Sequence, residues 1–128
     1  MSNIDDFNKV TATVLANLYQ SFPQKIKVSV GDVFDEPDQN TIMNFDGTVM
    51  FLAAEGFLTF DHDSDEGKFF VGVVLTLKGL RILHSVPDIL KEQPTLGQGM
   101  VNMLKGGAKE ASKEGVKAVV KELLSTSI

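Results

Sequence analysis

Between residues 69 and 77 the chain reads Phe-Phe-Val-Gly-Val-Val-Leu-Thr-Leu, so Phe69, Val71, Val73, Leu75 and Leu77 recur with a period of two. That spacing predicts a strand with one face buried. An apolar run at 57–60 precedes it, and Asp61, Asp63, Asp65, Glu66 and Gly67 stand between the two. Two apolar segments around a polar, glycine-bearing stretch predict an antiparallel hairpin with an acidic tip. The chain must therefore cover the apolar face of a small sheet, and a pure helix bundle is excluded.

The covering elements show helical periodicity instead. An Asp pair suited to capping precedes Phe7, Val10, Val14, Leu15 and Leu18, which predicts a helix over 5–21 that ends at Pro23. Residues 25–30 alternate as a short strand, and the segment up to Pro37 holds one helical turn. A third helix begins at Asn40 or Thr41 and runs to Glu55. Its core face is Ile42, Phe45, Val49, Leu52 and Ala53, and Gly56 supplies a left-handed stop. After the hairpin, residues 78–92 read as a helix interrupted or ended near Pro87, with Gln93 and Pro94 as a linker. The fold class is α+β, in the order helix, strand, helix, helix, strand, strand, helix over residues 1–92. A C-terminal amphipathic helix follows over 95–128.

At 128 residues and 43% hydrophobic content the chain has enough apolar surface for one core. No apolar run approaches the roughly eighteen residues that cross a bilayer, and the opening segment is acidic and polar rather than a signal peptide, so a cytoplasmic location is expected. The absence of cysteine excludes disulfides, thiolate nucleophiles and thiolate zinc sites.

The formal net charge of -5 is unevenly spread. No Lys or Arg lies between Val28 and Gly67, whereas Asp32, Asp35, Glu36, Asp38, Asp46, Glu55 and the hairpin carboxylates all fall there. From Gly97 onward the balance reverses, with lysines at 105, 109, 113, 117 and 121 against Glu110, Glu114 and Glu122. An acidic body thus carries a mildly basic tail.

The acidic tip fails as a calcium loop. Read from Asp61, it places Asp63 and Asp65 correctly, but Glu66 stands where the invariant glycine belongs and Gly72 where the bidentate glutamate belongs. Catalysis needs acid and base groups with separated pKa values in a partly dry cleft, and these carboxylates cluster at an exposed tip. Neither His62 nor His84 has a partner visible in the sequence, and no phosphate-cradling glycine loop follows a strand. No cofactor is expected, and the reading is non-enzymatic.

The stretches Phe51–Phe60 and Val74–Leu83, joined by the hairpin, resemble the winged-helix superfamily. Leu52–Leu58 matches the Leu-x-x-x-Gly-Leu type end of its third helix, and Leu75–Gly79 matches the Leu-Thr-x-x-Gly stretch after its wing. The resemblance covers residues 5–90. It implies a winged-helix domain, a scaffold that serves DNA readers and protein-binding modules alike. DNA reading would use the third helix in the major groove and a basic wing, yet the first cation there is Lys68. DNA binding is disfavoured by that charge.

Opposite its core face the third helix carries Met43, Gly47, Met50 and Ala54, with Asn44 and Phe51 on the flank. A helix apolar nearly all round is covered twice, by its own domain or by another chain. In the tail, Leu104, Ala108, Ala111, Gly115, Ala118 and Val119 form one face, widened by Val116 and Leu123, and lysines and glutamates form the other. Interior glycines weaken that helix, so it needs a cover: the same protomer, a second copy, or a partner's groove. A membrane surface is disfavoured, because Ala and Gly bury little area and no Phe, Tyr or Trp follows Phe70. The expected function is protein contact, through self-association or partner binding, at the third-helix face, the wing carboxylates Asp61, Asp63, Asp65 and Glu66, and the tail. The alternatives are a winged-helix transcriptional regulator and an acidic nucleic-acid mimic that binds a basic partner.

Overall fold

In a computed structural model of the chain, residues 3–85, 95–105 and 113–126 are described. Helix α1 (Asn3–Ser21) starts with Asp5 and Asp6 in its first turn, where carboxylates oppose the positive end of the helix dipole. Its middle is buried almost all round: Val10, Thr11, Ala12, Thr13, Val14, Leu15 and Ala16 are all inaccessible. The expected one-sided stripe is therefore too narrow. α1 is a central helix, and three of the later helices described pack directly along it.

Strand β1 (Ile26–Ser29) leads into a single 3-10 turn (Val30–Asp32), whose Asp32 Oδ2 accepts from the Ser29 amide at 2.9 Å. The expected brief second helix is no more than this turn. Helix α2 (Gln39–Ala54) corresponds to the expected third helix. Its N-cap is Asp38, whose carboxylate accepts from the Thr41 amide at 2.9 Å while the Thr41 hydroxyl accepts from the Asp38 amide at 2.9 Å. This reciprocal box satisfies two orphan donors, and the hydrogen bonds to Thr41 hold the Asp38 carboxyl below its ordinary pKa. Phe45, Val49 and Leu52 are fully buried, as the periodicity predicts, whereas Ile42 and Ala53 are half-buried.

The sheet is antiparallel throughout. Strand β4 (Phe69–Leu75) lies at its centre, with β1 on one edge and β2 (Leu58–Thr59) then β3 (His62–Asp63) along the other. Opposite β1 the register runs Ile26↔Val73 but Val28↔Phe70, so β4 carries one extra residue there. Gly72, at φ 73°, occupies that bulge. The bulge corrects the expected alternation. Val73 and Leu75 are buried as expected, but before Gly72 the buried residue is Phe70 in place of Phe69 and Val71, because one inserted residue shifts the strand's face by a step. Leu77 instead opens helix α3 (Leu77–Leu83) and is exposed.

Where one amphipathic helix over 95–128 is expected, two occur among the described residues: α4 (Leu96–Met103) and α5 (Lys113–Thr126). Thr95 caps α4 by accepting from the Gln98 amide at 3.0 Å, and the helix closes at Leu104. Both helices lie on α1 and on each other. Leu96, Met100, Val116, Val119, Val120 and Leu123 join the same core as Val10, Leu15, Phe45 and Phe70. The Tyr19 hydroxyl ties the junction, within 3.0 Å of Thr95 Oγ1 and 3.1 Å of His84 Nδ1. The expected helix end near Pro87 and the linker at 93–94 lie outside the described residues.

Candidate interaction surface

α2 turns its core face to the sheet and to α1, which leaves its opposite stripe outward. Met43 is 62% exposed, and Met50 and Phe51 are each 43% exposed. Gly47 and Ala54 are exposed beside them. Of the two readings for this face, interface or core within the protomer, its exposure favours the first: among the described residues none buries it. A Cβ built at Gly47 would meet nothing within 4 Å outside the helix's own adjoining backbone.

The flank differs from expectation. Asn44 is half-buried, and its side-chain amide donates to Asp6 Oδ2 at 2.8 Å and to Asn3 Oδ1 at 3.1 Å. Its amide holds α2 to the start of α1 rather than facing outward, so its role is first of all internal. Thr48, one turn on, is buried and its hydroxyl donates back to the Asn44 carbonyl within α2 at 2.6 Å. Phe51 packs edge-on against Phe7 with ring centroids 5.7 Å apart. Together Ile4, Phe7, Met43, Gly47 and Phe51 line a shallow apolar groove between α1 and α2. Sequence reasoning assigned Phe7 to the core and passed over Ile4, which is 68% exposed. The available signal was the spacing of three from Ile4 to Phe7, which makes them neighbours on the helix surface.

The hairpin carboxylates separate into two groups. Asp61 pairs with Lys25 at 3.2 Å, at the neck of the hairpin. Asp63, Asp65 and Glu66 line a depression with Gln39, Met43 and Asp46 of α2, so the acidic tip leans on the first half of that helix. Burial, and secondarily the charge of Asp63, push the Asp46 carboxyl above its ordinary pKa. Glu66 has Lys68 at 3.7 Å. Among the described residues no group of three or more His, Asp or Glu is placed to hold a metal ion.

A cation stands at the other end of α2. Lys78 Nζ donates to the Glu55 carbonyl at 2.8 Å and lies 5.1 Å from the Phe57 ring centroid. There it satisfies an orphan carbonyl and opposes the negative end of the helix dipole. Arg81 follows on the same short helix and is exposed.

The tail's candidate residues are placed less favourably. Gly115 and Ala118 are half-buried, while Val116, Val119, Val120 and Leu123 form the inaccessible stripe, rotated from the one expected. Ala108 and Ala111 lie outside the described residues. Lys113 reaches Asp5 at 3.0 Å, which fastens α5 to the first turn of α1. No helix among the described residues is long and apolar enough to cross a membrane.

No protein-family model, no curated protein and no solved structure matches this chain.

Proposed function

We propose that this chain is a non-enzymatic winged-helix module that acts through protein contacts, with the outward face of α2 as its contact surface. The observation that carries the reading is that face: Met43, Met50 and Phe51 stand open to solvent in a stripe without a cation. The order α1, β1, α2 and hairpin, with β1 beside the returning strand, supports the winged-helix assignment. On that scaffold α2 takes the place of the groove-reading helix.

Physical chemistry favours a protein over duplex DNA at this place. Phosphate contacts need Lys or Arg, and on its wing side α2 presents Asp46 next to Asp63, Asp65 and Glu66 of the hairpin. Of the nearby cations, Lys25 and Lys68 already face carboxylates, which leaves Lys78 at the far end of α2 and the exposed Arg81 on α3. Covering methionine and phenylalanine side chains contributes about 1.5–3 kcal/mol each when burial is complete. The same carboxylates would steer a basic partner by charge, as in the mimic reading, and such binding would weaken with salt.

The test is fluorescence anisotropy of mixed-sequence duplex DNA with the full chain at low and moderate salt. No binding even at low salt is expected. Saturable binding that falls steeply with salt overturns the reading and installs a DNA regulator in its place. In parallel, Met50→Glu is expected to keep the parent's circular dichroism spectrum and melting curve, since Met50 is open to solvent. Unfolding of that variant would return Met50 to the core.

A further inference from the structure

Resting on the protein-contact reading, we infer that the occupant of the α2 face is a second copy of this chain, bound with its α2 antiparallel about a two-fold axis. The outward stripe is Met43, Gly47, Met50 and Ala54, with spacings of four, three and four. That pattern is its own mirror. In an antiparallel pair centred between Gly47 and Met50, Met43 of one copy meets Ala54 of the other, and Gly47 meets Met50. Both methionines of the stripe then face small residues, while Phe51 on the flank falls across from Asp46 of the other copy. The notch at Gly47 is open, with nothing outside the helix's own adjoining backbone within 4 Å of a would-be Cβ, so it can receive a methionine. Isologous contacts of this kind close at two subunits.

Charge selects the same orientation independently. The acidic tip, with Asp63, Asp65 and Glu66, lies beside Gln39, Met43 and Asp46 at the start of α2. Lys78 lies at its end, on the carbonyl of Glu55, and Arg81 follows three residues on along α3; with the exposed Glu55 carboxylate counted, these three groups carry a net positive charge. Antiparallel pairing brings each acidic tip to the partner's basic end and also opposes the two helix dipoles. Parallel pairing would set acidic tip against acidic tip. Size and charge therefore choose one arrangement.

Sedimentation velocity of the full chain over a hundredfold concentration range tests this with two variants that exchange size. Gly47→Leu fills the notch on an exposed helical position, so it retains the fold and weakens association by roughly tenfold or more. Gly47→Leu combined with Met50→Ala places Leu opposite Ala in the same register and returns association to within about threefold of the parent. A parent that stays monomeric at every concentration overturns the inference. So does a Gly47→Leu chain that associates like the parent, or a double variant no better than Gly47→Leu alone. Thermal melts of all three chains separate lost pairing from lost folding. A monomeric parent removes self-pairing only; the protein-contact reading itself falls on duplex DNA binding.

Discussion

Asp46 shows how a single residue couples α2 to the hairpin. Burial and the charge of Asp63 both disfavour its ionised form, so its pKa is raised. For a carboxyl the sign follows directly: the folded chain holds the proton more tightly than the unfolded one, so stability falls as pH rises from the ordinary aspartate value through the raised one. Asp46→Asn is accordingly expected to raise the urea midpoint at neutral pH. The advantage should shrink as the solution is acidified and the parent carboxyl protonates. An unchanged midpoint at neutral pH would show that Asp46 is not strained. Asn44, by contrast, was legible only as a flank residue. Its pairing with Asp6 spans 38 positions of sequence, and no local pattern announces such a contact.

At the scale of elements, β4 is where local reading and structure part. Period-two alternation located the strand, but its face depends on a bulge that only the pairing with β1 creates. Gly72 makes the bulge possible through its positive φ, and a Cβ there would lie 2.1 Å from Asp61 Oδ2. Gly72→Ala is expected to cost about 1–3 kcal/mol, read from urea melts at fixed pH. A neutral result would mean that the bulge relaxes into regular strand. α2 is the opposite case. Its cap at Asp38, its core stripe and its stop at Gly56 all stand in neighbouring residues, so its limits were legible to within a residue or two.

For the molecule as a whole, the decisive fact is that α4 and α5 share the core of α1. The close approach that small tail residues permit occurs at Gly97, where a Cβ would sit 2.7 Å from the Tyr19 ring. Gly97→Val is expected to force α4 off α1, costing about 1–3 kcal/mol of overpacking. Faster hydrogen exchange at α1 amides, with the α2 and sheet amides less affected, would report that local opening. Uniform protection across the chain would show that the contact is dispensable.

By itself the sequence determined that the chain is α+β, that an acidic hairpin follows an apolar helix, and that this helix has a second, uncharged stripe. Those features are written in periods of two and 3.6 and in capping residues, which act over a few positions. Only the tertiary structure decided which stripes are covered. It buried the middle of α1 almost all round, bent β4 at Gly72, broke the tail into two helices on α1, and left Met43 and Met50 of α2 in the open. Burial is a competition among distant segments for the same apolar surface. A local pattern can say that a face needs cover, and only the packed chain says which face goes without.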